Sequence, residues 1–335
     1  MSMIRIAMDA MGGDNAPLSV VEGAYRALEA EKDIEITLYG SEEAVRPLLT
    51  KQNERLHFVA TTEVIGMDEA PVMAVRKKAD SSLVRAFLSV KNGEADAAVS
   101  AGSTGALLAG GMMRVGRIPG IERPSLAPVL PGKNGRFLVI DAGANVDCQP
   151  KYLMQFGLMG SVYMKSVLGI EDPKVALLNI GAEAEKGNAL TKQAYEMMSK
   201  QNVYNFTGNV EARDVPQGDV DVVVTDGFDG NLILKYTEGL SQTLFSMIKE
   251  VLMSGVRTKI GALLVKPALS GFKKKLDYRE VGGAPLLGCV GAIVKAHGSS
   301  NATAMKNAIL QARLMVAGGV VEKIKDGLKA ISFEE

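Results

Sequence analysis

Lys186, Asn231, Asp226 and His297 are the side chains of this sequence best suited to hold an anion or a developing negative charge. Each lies in or at the edge of a short glycine-rich turn. The turns are Asp9–Asp14 (DAMGGD), Ser100–Gly105 (SAGSTG), Asp141–Asn145 (DAGAN), Asn179–Gly187 (NIGAEAEKG) and Thr225–Asn231 (TDGFDGN), with His297–Ser300 (HGSS) further on. Glycine lets a ligand approach the backbone, and hydroxyls and N–H groups at a helix start suit an anion. On that chemistry Gly102, Ser103, Thr104 and Gly105 are candidate phosphate-binding residues, joined by Asp9, Gly12, Gly13, Asp14, Asn145, Gly227 and Gly230. Lys186 offers a charge for phosphate or an oxyanion, and Asn231 offers a hydrogen bond to a carbonyl oxygen.

Plainer readings of the same residues stay open. SAGSTG lacks the Gly-Lys-[Ser/Thr] of a Walker A loop, and no G-x-G-x-x-G follows the first strand. A tight turn of small residues accounts for it equally. Lys186 can be a solvated lysine paired with Glu183 or Glu185, and Asn231 can cap the helix that follows. Asp9, Asp14, Asp141 and Asn145 can shape turns without any ligand. His297, one of two histidines, suits acid–base work, a turn or a phosphate contact. No G-x-S-x-G nucleophile elbow accompanies it.

Short apolar runs lead into the five turns: Met3–Met8, Ala95–Val99, Phe137–Ile140, Val175–Leu178 and Val220–Val224. Such runs predict strands buried on both faces, and helical patterns follow each turn. Ile34–Tyr39 adds a strand that ends at Ser41, a capping serine before Glu42 and Glu43. A helix is expected from about Pro71 to Asn92, and Pro150 opens another with the stripe Tyr152, Phe156, Met159, Tyr163 and Val167. Repeated strand–helix units predict a doubly wound, mainly parallel α/β fold whose turns line one crevice at the strand C-termini. After Asn231 the series Ile233, Tyr236, Leu240, Leu244, Ile248 and Val251 predicts a long helix. Met305, Ile309, Ala312, Val316, Val320, Ile324 and Leu328 continue a helical face near the C-terminus, with Gly318 and Gly319 placed to split it.

The 335 residues are 47% hydrophobic and 23% charged, with no formal net charge, which excludes a global field for nucleic acid. Residues 255–280 nevertheless carry Arg257, Lys259, Lys266, Lys273, Lys274, Lys275 and Arg279 against Asp277 and Glu280. Interspersed apolar residues, Leu263 and Leu264 among them, suit this segment to a bilayer interface, an acidic carrier protein or a dimer contact. Cys148 and Cys289 are far apart without metal-ligand spacing, so neither a metal site nor a disulfide is expected. No signal-peptide pattern precedes the first strand and no apolar stretch approaches the ~20 residues that cross a bilayer. A cytoplasmic protein is expected.

Taken as an ordered set, Met8–Asp14, Ser100–Ala106, Asp141–Asn145, Leu178–Gly181 with Glu183 and Lys186-Gly187, Thr225–Asn231, Gly282–Gly288 (GGAPLLG) and His297–Ser300 resemble one family. It is the bacterial phosphate acyltransferases of phospholipid synthesis, PlsX, and the resemblance runs from residue 3 to about residue 320. It implies a three-layer α/β/α fold like that of isocitrate and isopropylmalate dehydrogenases, built as a single domain over residues 1–335 with a protruding basic and apolar hairpin over 232–280. It implies conversion of acyl-[acyl carrier protein] and inorganic phosphate to acyl phosphate, without a cofactor. A homodimer, a peripheral place on an anionic membrane surface and a downstream membrane glycerol-3-phosphate acyltransferase are implied with it. Two alternatives are a metal- and NAD-dependent decarboxylating dehydrogenase on the same fold and a non-catalytic membrane scaffold.

Overall fold

A computed structural model describes residues 3–276 and 282–331, without the side chains of Ser270 and residues 272–276. The strands are β1 (Ile4–Asp9), β2 (Ile34–Gly40), β3 (Leu56–Ala60), β4 (Ala97–Ser100), β5 (Ser125–Leu126), β6 (Val129–Pro131), β7 (Arg136–Ile140), β8 (Lys174–Asn179), β9 (Asn205–Glu211), β10 (Val222–Val224), β11 (Ala284–Leu287) and β12 (Ala292–Lys295). The helices are α1 (Leu18–Ala30), α2 (Glu42–Val45), α3 (Pro71–Lys77), α4 (Ser82–Lys91), α5 (Thr104–Gly110), α6 (Pro150–Leu168), α7 (Ala189–Ser199), α8 (Gly227–Met253), α9 (Val256–Leu276), α10 (Ala302–Ala317) and α11 (Val320–Lys329).

The expected mainly parallel α/β architecture is present, with its strands shared between two sheets. One sheet runs β3-β2-β1-β4-β12-β11-β5 and the other β6-β7-β10-β8-β9. Pairing is parallel except where β11 meets β12 and β5, and where β6 meets β7. Strand alternation explains the layering. Ile6, Met8, Val99 and Val294 of the first sheet share one core with Leu138, Ile140, Val222 and Val224 of the second. Residues between them face outward: Ala7, Ala98 and Ile293 pack under α4 and α5, and Val139 and Val223 form a smaller cluster. Helices α1 and α10 lie against each other on the first sheet, α6 covers the second, and α10 touches α6. The shared core is therefore a layer of helices, in which α1 and α10 of the first sheet meet α6 of the second.

Two sequence expectations change. The helix expected over Pro71–Asn92 is two helices, because Ser81 caps α4 by accepting the Val84 N–H. The carboxylate of Asp80 takes the backbone N–H and hydroxyl of Thr62, which draws the chain between the helices toward β3. The cap of the long helix α8 is Asp226, which accepts the Asp229 N–H at 2.9 Å, so Asn231 lies inside the helix. Gly318 and Gly319 do separate α10 from α11.

Helices α8 and α9 form the hairpin, in contact with each other. Much of its apolar surface faces outward, including Leu240, Leu244, Met247 and Val251 on α8 and Ile260, Leu263 and Leu264 on α9. The side chains of Lys273, Lys274 and Lys275 lie outside the described residues, as do residues 277–281. Among the described residues no helix is long and apolar enough to cross a membrane.

A buried hydrogen bond ties the two halves together. Gln311 on α10 donates from Nε2 to the Tyr163 hydroxyl on α6 at 2.7 Å, and both residues are buried. Tyr163→Phe strands that amide in the core, and unfolding in urea is expected to show a loss of about 1–3 kcal/mol. A midpoint equal to that of the wild type would mean the bond contributes nothing to the seam.

Candidate active site

Strands β1, β4 and β12 are neighbours, and their C-terminal ends bring three of the sequence turns together. Asp9 closes β1 and is buried. Its Oδ2 accepts the Ser100 hydroxyl at 2.7 Å and its Oδ1 the Met11 N–H at 3.2 Å. Ser100 in turn accepts the Gly102 N–H at 3.0 Å. Burial pushes the Asp9 carboxyl above its ordinary pKa, against the hydrogen bonds that favour the anion. Gly12 is required here, since a Cβ would stand 2.5 Å from Asp9 Oδ2 and 2.7 Å from the Gly102 nitrogen. The turn is fastened to the histidine loop: Asp14 N–H donates to the Gly298 carbonyl at 2.8 Å, and Asn15 donates to the carbonyls of Ser299 and Ser300. Ser103 precedes α5 and is buried, Thr104 begins the helix, and Gly105 rests against Pro71.

The second sheet has a matching arrangement at the ends of β7 and β10. Asp141 is fully buried and accepts N–H groups from Leu126 at 2.9 Å, Ala144 at 3.1 Å and Asn145 at 2.6 Å, with the Asn145 amide at 3.0 Å. Burial outweighs these bonds and raises its pKa to about 6. The Asn145 amide also donates to the Pro124 carbonyl, and the Asn145 carbonyl accepts the Gly227 N–H at 2.7 Å. Helix α8 thus starts against the 141–145 turn. A Cβ on Gly230 would fall 1.9 Å from the Asp141 carbonyl oxygen. That approach sets Asn231 over Gly143, 3.4 Å from the position a Cβ would take there.

Between the two sheets lies a cleft of about 330 Å³. Thr104, Asn231, His297 and Ser300 line it, so the structure brings together four residues from three separate sequence turns. One wall is apolar, formed by Leu126, Val129, Leu130 and Leu234. His297 is partly buried. Its Nδ1 sits 2.8 Å from the Ser299 hydroxyl and accepts the Ser299 N–H at 3.2 Å, which places the proton of the neutral ring on Nε2. Burial lowers its pKa, with Lys235 and Lys295 acting in the same direction and Glu238 and Asp14 opposing.

Lys186 is not part of this lining. It is exposed on the loop after β8, where its N–H donates to the Glu183 carbonyl and its own carbonyl accepts from Asn179. It forms no ion pair with Glu183 or Glu185 among the described residues. Conversely, Lys235, Glu238 and Lys295 line the cleft although nothing in the glycine turns points to them. Lys235 pairs with Glu238 at 2.8 Å, one helical turn apart. Lys295 ends the apolar run of β12 just before His297, and a charged residue closing a buried strand is the signal that marks it. Among the described residues no group of three or more His, Cys, Asp or Glu side chains is arranged to hold a metal ion.

Two mainly parallel sheets, a cleft lined from both and a long helix along one side of it define an α/β protein with the fold of the phosphotransacylases. A phosphotransacetylase from Streptococcus pyogenes aligns with a TM-score of 0.64 at 21% identity, covering 96% of this chain and 94% of that one. A branched-chain phosphotransacylase from Enterococcus faecalis V583 aligns at 0.60 and 17% identity, covering 94% and 99%. At these identities the likeness is one of fold. The family model described as "Fatty acid synthesis protein" matches residues 4–323. A phosphate acyltransferase of Clostridium perfringens is 52% identical over 334 residues, covering 99% of this chain and 98% of the relative. One of Alkaliphilus oremlandii is 49% identical over 335 residues, covering 99% of each. The chain belongs to the phosphate acyltransferase family and is an acyltransferase.

The packing of α8 on Asp141 gives a direct test. Gly230→Ala forces a methyl into a backbone carbonyl, and neither partner has a flexible end that can yield. Thermal unfolding should show a loss of roughly 3 kcal/mol or more. An unchanged melting temperature would mean that α8 does not hold this seat.

Proposed function

We propose that the enzyme transfers an acyl group from acyl-[acyl carrier protein] to inorganic phosphate, releasing acyl phosphate and free carrier protein on the route to phosphatidic acid. The observation that carries this reading is the cleft itself, with an apolar wall on one side and Thr104, Asn231, Lys295 and His297 on the other. The apolar wall suits an alkyl chain, and the polar side suits a phosphate and a thioester carbonyl. The family and the phosphate acyltransferase relatives support it. They do not favour the dehydrogenase or scaffold alternatives.

Phosphate at neutral pH is already an anionic nucleophile, so the protein needs no serine or cysteine to attack the thioester. Cys148 and Cys289 suit that role poorly, since burial raises each thiol pKa to about 12. A phosphate oxygen forms the new C–O bond, charge collects on the former carbonyl oxygen, and the C–S bond then breaks to release the carrier thiolate. The protein's task is to position the reactants and stabilise that oxyanion. Asn231, fixed over Gly143, is the donor for the oxyanion. Ser103 and Thr104 at the start of α5, with the Gly102 and Gly105 backbone, belong to the phosphate. Asp9, Gly12, Gly13 and Asp14 shape the adjoining turn, and Asn145, Asp226, Gly227 and Gly230 seat the helix that carries Asn231. Lys186 stands at the same edge of the second sheet and supplies charge from the open side.

The hairpin extends this reading. Arg257, Lys259 and Lys266 fit an acidic carrier protein or an anionic membrane surface, and Leu263 and Leu264, 71% and 77% exposed, fit a bilayer interface. A peripheral place on the cytoplasmic membrane would deliver acyl phosphate to a membrane glycerol-3-phosphate acyltransferase. The exposed apolar face of α8 is suited to a second copy of the chain in a homodimer.

The deciding assay mixes the protein with palmitoyl-[acyl carrier protein] and phosphate and follows released thiol and hydroxylamine-trapped acyl phosphate. Equal amounts of both, dependent on phosphate, are expected. Thiol without acyl phosphate would make the protein a thioesterase instead. In the same assay Asn231→Ala should lower kcat by ~10²–10³, the usual cost of a lost oxyanion donor; a rate within threefold of wild type removes Asn231 from that role. Leu263→Glu with Leu264→Glu should abolish sedimentation with anionic liposomes while turnover in solution persists. Equal liposome binding by mutant and wild type would rule out the hairpin as the anchor.

A further inference from the structure

Lys295 carries a buried charge with no ion-pair partner among the described residues. It is 8% exposed, and its Nζ donates to the carbonyl of the adjacent Ala296. That is one acceptor for three N–H donors, and Lys295 makes no ion pair among the described residues. Its position is set by the sheet. Ala7, Ala98 and Ile293 share the outward cluster of β1, β4 and β12, and Asp9, Ser100 and Lys295 each stand two residues further along the same face. The buried Asp9 carboxylate on that face is engaged with the Ser100 hydroxyl and forms no ion pair with Lys295. A buried ammonium without a counter-charge is costly, and the side chain lines the cleft.

We infer that Lys295 is the buried anion ligand of the cleft and holds the phosphate that accepts the acyl group, with Thr104 in the same lining. The inference rests on the phosphate reading given above and names the residue that binds this substrate. The missing counter-charge is the ligand itself. Phosphate brings acceptors for the two remaining N–H donors and a charge that offsets the desolvation of the ammonium. β12 of the first sheet brings this charge to a cleft that α8 lines from the side of the second sheet.

The charged groups around Lys295 fix the direction of its pH dependence. Burial lowers its pKa to about 8, Lys235 acts in the same direction, and Asp9 and Asp14 oppose. His297 and Glu238 complete the group, and His297, with its own pKa lowered, stays neutral above pH 7. Only the protonated lysine attracts phosphate, so binding should weaken as pH rises through about 8.

The test compares wild type with Lys295→Met, which keeps an unbranched apolar stem one atom shorter and removes the charge. Inorganic phosphate is the probe. Thermal unfolding reads its binding without any acyl donor, because a ligand of the folded state raises Tm. The variant is expected to melt no lower than wild type in phosphate-free buffer, since a buried uncompensated charge is gone. It should lose the rise in Tm that phosphate gives wild type. In the thiol-release assay its KM for phosphate should increase about 10–100-fold, with kcat changed less, in line with the loss of hydrogen bonds to a charged group. Between pH 7 and 9 the phosphate affinity of wild type should fall while that of the variant stays level.

A variant that keeps the phosphate-induced rise in Tm, with a KM within twofold of wild type, overturns the inference. So does a wild-type phosphate affinity that is level from pH 7 to 9, a result independent of how the variant folds. If wild type binds phosphate through Lys295 but releases no thiol in response to it, the acyltransfer reading fails and the anion site stands. If phosphate drives thiol release equally in both proteins, the acyltransfer reading stands and Lys295 is not its phosphate ligand.

Discussion

The seating of α8 on the turn that follows β7 is the constraint from which the site follows. Asp141 gathers the N–H groups of Leu126, Ala144 and Asn145, and its own carbonyl leaves no room for a side chain at position 230. The Asn145 carbonyl fixes Gly227 at the start of the helix. With both contacts made, the first turns of α8 can leave β10 in only one direction, across the gap between the sheets. Asn231, Leu234, Lys235 and Glu238 then face the cleft because helical periodicity places them there. A buried carboxylate with four donors is a rigid anchor, and burial raises its pKa against the donors that stabilise its charge.

The opposite wall works by a complementary principle. Asp9 and Lys295 are both buried on one face of the first sheet, and burial drives their pKa values toward each other, the acid upward and the base downward. They do not close into an ion pair, because the Asp9 carboxylate is taken by Ser100 and by the turn backbone. One member of this pair of charges is satisfied within the protein, and the other is directed into the cleft. Polarity in the site is therefore asymmetric: hydrogen-bonded on the Asp9 side, electropositive on the Lys295 side and apolar along Leu126, Val129 and Leu130.

Much of the framework was legible in the sequence because glycine punctuates short apolar runs that alternate with helices. Strands β1, β2, β4, β7, β8 and β10 fall where those runs predict them, and Gly318 and Gly319 divide the last helices as expected. What escaped has a physical reason in each case. β3 and β9 lie at sheet edges with half-exposed, mixed sequences, so neither gives a clean run. The break between α3 and α4 is hidden because apolar spacing continues on both sides of Ser81, and only the cap shows it. Thr104, Asn231 and His297 were found among the candidates because polar groups in glycine turns stand out. Lys295 was not, since a lysine at a strand end looks solvated until the fold shows it buried in the cleft. The exposed position of Lys186 likewise depends on how the loop after β8 folds, which its glutamates do not reveal.

Helix α8 is 27 residues long and about 40 Å from end to end. Its first turns hold side chains of the cleft, and its far end passes into the exposed apolar tip of the hairpin. A continuous helix of this length is a stiff strut. A surface that seated the tip would therefore also set the height and bearing of the cleft above it, as a rigid gauge does.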